Sequence, residues 1–194
     1  MYPESISKEE ISKLPIITYE GAITLIDDPT TVDLAIYKIR SAGIVGFDTE
    51  KKPTFKKGQY HPTALVQLST LDEAFLFRIN KIGFHPALKA VLEDPAIIKL
   101  GISIRDDLVE LQRMETFSPE GFVELNVLAH SLGIRNSGVR NLAGIILRKR
   151  VSKNQQTSNW ENDILTDAQQ NYSAIDAWIC IRMYRELQQK GYIE

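Results

Sequence analysis

The chain has 194 residues and a formal net charge of −2, with 43% hydrophobic and 25% charged residues. That balance belongs to a globular protein with enough core to fold unaided, and it excludes collagen-like, mucin-like and broadly disordered chains. There is no basic excess, so attraction for a polyanion has to come from local patches, and the lone Cys180 allows no internal disulfide and suits a reducing compartment.

Residues 1–20 read as an irregular lead-in and 21–194 as one domain. A short strand is expected over 22–26. Asp28-Pro29 then opens a helix, since proline suits the first helical turn, and Leu34, Ile36 and Ile39 carry it to Gly43. Residues 44–50 form a strand whose first four positions are apolar on both faces, which places it centrally in a sheet covered on both sides. Strands over 64–69 and 74–79 follow through short connections, which predicts an antiparallel meander. A helix over 86–92 leads to a buried strand over 97–104 and a helix over 105–114. A short strand over 122–125 and helices over 127–132 and 139–147 come next. The last helix is the clearest, with a Thr166/Gln169 capping box and an apolar stripe through Leu165, Ala168, Tyr172, Ile175, Ile179, Met183 and Leu187. A meander followed by alternating strands and helices makes an α/β mixed sheet with helices packed on both faces.

Four carboxylates stand out. Asp48 and Glu50 end the central strand and share a face, because side chains alternate along a strand. Two acids emerging together repel unless a cation lies between them. In Arg105-Asp106-Asp107-Leu108, helical spacing puts Asp107 on the face of Leu111, while Asp106 faces water. Asp176 lies one turn beyond Tyr172, at the border of the apolar stripe. Each has an ordinary alternative: a solvated strand end, first-turn acids favoured by the helix dipole, a core tyrosine and a salt bridge. Together they allow a cluster of oxygen ligands, which suits Mg²⁺ or Mn²⁺ rather than zinc. Two such ions, roughly 3.5–4 Å apart, form a clamp for phosphodiester hydrolysis.

Phe47-Asp48-Thr49-Glu50, Gly101 to Asp107, and Tyr172 to Asp176, in this order, resemble the DnaQ-like 3′–5′ exonucleases of the DEDDy type. Val45 to Glu50, Ala64 to Leu68, Phe75 to Phe77, Ser158-Asn159-Trp160 and Leu165-Thr166-Asp167 are similar to the Werner-type exonuclease domains, over about residues 20–190, with ribonuclease D in the same broader group. The resemblance implies a ribonuclease H-like fold and a two-metal DNA exonuclease that removes nucleoside 5′-monophosphates from a 3′ end. By position it implies Asp48 on both metals, Glu50 and Asp176 at the metal that activates water, Asp107 at the second, and Tyr172 orienting the water. None of His61, His85 or His130 lies near the third motif, where the other subtype uses histidine. Thr49, Lys51 and Lys52 depart from the apolar surroundings usual beside the first motif. An RNA-trimming enzyme like ribonuclease D and a non-catalytic nucleic-acid-binding domain are the rival readings.

Two basic stretches are candidates for holding the substrate. Lys51, Lys52, Lys56 and Lys57 flank Phe55, which offers a base-stacking face. Arg148, Lys149, Arg150 and Lys153 precede Trp160. Phe47 and Trp160 are expected to be packing residues, and no base-reading helix is evident. No basic-then-apolar leader and no run approaching the roughly 20 residues of a bilayer span is seen, so a cytoplasmic protein without a membrane partner is expected.

Overall fold

The apolar run that starts at Ile44 forms the spine of a six-stranded sheet. The computed structural model describes residues 2–152 and 154–193. In chain order these form α1 (Lys8–Lys13), β1 (Ala22–Ile26), a 3-10 turn (Pro29–Thr31) running into α2 (Val32–Ala42), β2 (Ile44–Lys51), β3 (Thr63–Ser69), β4 (Glu73–Phe77), α3 (Ile79–Ile82), α4 (Pro86–Leu92), β5 (Ile98–Gly101), α5 (Arg105–Met114), β6 (Phe122–Glu124), α6 (Leu125–Ser131), α7 (Val139–Leu142), a π-helical turn (Ala143–Leu147) and α8 (Asp167–Gln189). The sheet order is β1-β4-β3-β2-β5-β6. β2, β3 and β4 form the antiparallel meander, and the other neighbours pair in parallel. The architecture is the mixed α/β sheet that the sequence pattern implies.

Alternation along β2 sends its side chains to two cores. Val45 and Phe47 pack with Ile36 and Ile39 of α2, Leu88 and Val91 of α4, and Leu111 of α5. The opposite face belongs to α8. A Cβ on Gly46 would lie 1.8 Å from the carbonyl oxygen of Ala177, so the helix backbone rests directly on the strand. Only glycine permits that approach, and Asp48, two residues along, shares this face.

Four expectations differ from the structure. The lead-in contains α1, whose Ser7 and Glu10 form a reciprocal capping box; the Ser-x-x-Glu signal was present in the sequence. The strand expected over 97–104 ends at Gly101, because Ser103 takes a left-handed backbone, φ 58°, that turns the chain into α5. The strand expected over 74–79 stops at Phe77. Arg78 then turns inward, its guanidinium donating to the carbonyl oxygens of Asn162 and Asp163. The helix expected over 139–147 is one α-turn and a π-turn, closed by Arg148 at φ 55°; Gly144, within that turn, faces Ile6, Ile11 and Leu14.

Candidate active site

At the C-terminal end of β2 a cleft of about 310 Å³ opens between the sheet and α8. Phe47, Asp48, Thr49, Glu50, Ile102, Ser103, Tyr172 and Asp176 are on its walls. One carboxylate oxygen from each of Asp48, Glu50 and Asp176 lies within 4.8 Å of the others. Asp48 and Glu50 arrive by alternation along one strand face. Asp176 arrives because α8 lies against Gly46, one residue before Ala177.

Asp107 approaches from the other side of the strand end. It is in the first turn of α5, which covers the Phe47 face, and it accepts a hydrogen bond from the Thr49 hydroxyl. It stands outside the three-carboxylate cluster, yet its charge acts on both Asp48 and Glu50. Thr49, a departure from the usual surroundings of the first motif, is thus the side chain that ties the fourth acid to the strand carrying the first two.

The electrostatics are those of buried acids crowded together. Burial, then repulsion from Asp176 and Asp107, holds Asp48 well above the usual carboxylate range. Burial and the charges of Asp48, Asp176 and Asp107 push Glu50 up to about 10. Burial also raises Asp107, with the Thr49 hydroxyl and Lys51 opposing. An all-oxygen donor set crowded within 4.8 Å fits hard divalent cations. The Tyr172 hydroxyl hydrogen-bonds to Asp176, and burial with the nearby acids raises its pKa, so it stays protonated at neutral pH.

Beside this cleft a second hollow, about 550 Å³, is lined by Glu50, Lys51, Pro53, Asp107, Glu110, Arg113 and Gln156, among others. Lys51 lines this second hollow, whereas Lys52 pairs with Glu161 at 3.4 Å. Lys56 and Lys57 are exposed on the following loop, and Phe55 is 80% exposed there. Arg148 is exposed, Lys149 half-buried, and Arg150 donates from Nε to the Leu14 carbonyl at 2.9 Å. Lys153 lies outside the described residues. Phe47 and Trp160 are fully buried and serve packing: Phe47 meets Phe122 edge-on, and Trp160 stands 6.1 Å from the Tyr172 ring.

Several cleft residues escaped sequence reasoning. Ser103 presents a left-handed turn there, its N–H held by Glu124 Oε2 at 2.8 Å and Asn126 Oδ1 at 3.2 Å. Cys180 lines the same cleft, one turn beyond Asp176. Gln67 pairs with Asp48 across β2 and β3, is fully buried, and has no partner for either amide atom among the described residues. A glutamine among the apolar residues of 64–68 was the signal for it.

A 3′–5′ exonuclease family model matches residues 23–191. The bifunctional 3′–5′ exonuclease/ATP-dependent helicase WRN of Mus musculus is 30% identical over 190 residues, which is 92% of this chain and 13% of that protein. Among solved structures, the Nibbler EXO domain of Aedes aegypti superposes with a TM-score of 0.82 at 22% identity, covering 92% of this chain and 94% of that one. Escherichia coli RNase D, an exoribonuclease, gives 0.76 at 22% identity over 88% of this chain and 46% of its own. At these identities the two structures bear on the fold alone.

Proposed function

The chain belongs to the 3′–5′ exonuclease family, and from that premise we propose a DNA exonuclease that hydrolyses the terminal phosphodiester by a two-metal mechanism and releases nucleoside 5′-monophosphates. The observation that carries this reading is the convergence of Asp48, Glu50 and Asp176 within 4.8 Å, with Asp107 facing them from the other side of β2. The four carboxylates would hold two divalent ions, Mg²⁺ or Mn²⁺. Bound there, the ions supply charge neutralisation and acidify water.

The chain's own groups do the rest. Asp48, on which the charges of both Asp176 and Asp107 act, would be the residue shared by both cation positions. The Tyr172 proton is directed to Asp176, which leaves the hydroxyl lone pairs to accept a hydrogen bond from the attacking water. Its raised pKa makes it a positioning group and not a general base. The water oxygen attacks the terminal phosphorus in line and gives up one proton to solvent. The bond to the 3′-oxygen of the shortened strand breaks, and that oxygen takes a proton back from solvent. Lys51, Lys52, Lys56 and Lys57 stand where backbone phosphates would be met, and the exposed Phe55 offers a stacking face.

DNA is proposed on the resemblance to the Werner-type exonuclease domains; a relative at 30% identity is a bifunctional 3′–5′ exonuclease and ATP-dependent helicase. The test incubates the protein with 5′-labelled single-stranded DNA, recessed duplex DNA and RNA, with Mg²⁺ or Mn²⁺, beside Asp48→Ala. A ladder of shortened DNA that disappears with chelator and in the variant is expected. Faster trimming of RNA would replace the DNA substrate with RNA. Intact substrates under every condition would overturn the catalytic reading.

A further inference from the structure

The N-terminal segment is docked onto the chain around residues 135–150. The Arg135 N–H donates to the Glu4 carbonyl at 2.7 Å, the Ile6 N–H donates to Asn136 Oδ1 at 2.9 Å, and Ile16 bridges to Arg150. Ile6 and Ile11 are buried, and both lie next to Gly144. This docking puts Lys8 and Arg140 on the wall of one hollow of about 380 Å³, completed by Ile11, Gly138, Val139 and Asn141. Gly138 and Val139 are also wall residues of the acidic cleft, so the two hollows adjoin.

The charge of this hollow is the reverse of its neighbour's. Both of its charged wall residues are cationic, and neither forms a salt bridge among the described residues. The acids of α1 are occupied elsewhere: Glu9 pairs with Lys13 at 2.6 Å, and Glu10 accepts the Ser7 N–H at 2.8 Å. Arg140 Nε is buried with no hydrogen-bond partner among the described residues. A buried N–H without an acceptor is costly, and a guanidinium fork is matched by a carboxylate or a phosphate. A polynucleotide whose 3′ end lies in the acidic cleft brings a row of phosphates to that rim.

We propose that Lys8 and Arg140 bind backbone phosphates of the substrate strand on the 5′ side of the scissile bond, which makes the N-terminal helix part of the substrate-binding surface. This deepens the exonuclease reading and rests on it. A dinucleotide has no phosphate beyond the scissile one and never reaches these side chains. A long single-stranded oligonucleotide does.

The experiment compares wild type, Lys8→Gln, Arg140→Gln, Arg140→Lys and the double Gln variant on both substrates at several salt concentrations, with melting temperature as a folding control. For the long substrate, each Gln variant should raise KM about tenfold with kcat little changed, as expected for loss of a charge-assisted contact. The double variant should flatten the salt dependence of KM by about 1.4 units of log–log slope, since each of the two single-strand phosphate contacts contributes roughly 0.7. Arg140→Lys should restore part of the loss, and dinucleotide cleavage should not change. An unchanged KM and salt slope on the long substrate would overturn the inference, and so would an equal loss on both substrates with the fold intact. Failure of wild type to cleave either substrate would overturn the exonuclease reading on which it stands.

Discussion

Two neighbouring strands bury charge in opposite ways. On β5, Lys99 is fully buried, yet its Nζ donates to the carbonyls of Asp94 at 2.7 Å and Val91 at 3.1 Å, and it lies 5.0 Å from the centre of the Phe122 ring. Its charge caps the end of α4, and burial lowers its pKa only to about 8. On β2, Asp48 and Glu50 face further acids, and burial with mutual repulsion drives their pKa values far upward. Burial of an ionisable group is therefore no mark of a site. The mark is a set of like charges crowded together, which a bound cation would relieve.

The sharpest way to break this comparison is to remove a charge from each strand. Asp48→Ala should lower exonuclease turnover at least about a thousandfold, the equivalent of several kcal/mol of transition-state stabilisation, while its melting temperature without metal holds or rises. Lys99→Ala should do the reverse, losing about 3 kcal/mol of stability through a cavity and two stranded carbonyls while kcat at a permissive temperature stays near wild type. A stability loss in the first or a turnover loss in the second would erase the distinction.

Gly46→Ala tests how the acids are brought together. Its methyl group would collide with the Ala177 carbonyl, so about 3 kcal/mol of stability and most of the activity should be lost together, read by thermal melting and the same cleavage assay.

The two regions should also show opposite pH signs. Glu50 moves from 4.5 to about 10 on folding, so above pH 4.5 the native state holds a proton that the unfolded state has lost. Stability in chelator should then fall as pH rises from about 5 to 8. Lys99 acts only from about 8 to 10.5, where the unfolded state holds the extra proton and stability rises with pH. Melting curves in chelator should slope downward below pH 8, and saturating Mn²⁺ should flatten that slope by replacing protons. A slope that Mn²⁺ leaves unchanged would count against a cation site.

The smallest expected effect is at Thr49. Thr49→Val removes the hydroxyl that Asp107 accepts from; about a tenfold loss of turnover with a stability change near 1 kcal/mol is expected. Steady-state kinetics and melting together check it.

Much of this was legible beforehand because it depends on short-range regularities. The meander, α8 with its Thr166 cap, and the shared face of Asp48 and Glu50 follow from alternation, helical periodicity and capping chemistry. The turn at Ser103 was hidden, because its left-handed backbone is held by Glu124 and Asn126, more than 20 positions along the chain. The split of the helix after Leu142 was hidden for a similar reason, since it comes where Gly144 meets the docked N-terminal segment.

Local pattern told which side chains share a strand face or a helix stripe, and the motif order told which family to expect. It could not tell how near separate elements would come. That Asp176 meets Asp48 depends on the missing Cβ of Gly46, that Asp107 stands on the far side depends on which face α5 covers, and that Lys8 lines the hollow adjoining the cleft depends on where the N-terminal segment docks. Each is a through-space distance set by packing between residues remote in sequence, on which periodicity along one element carries no information.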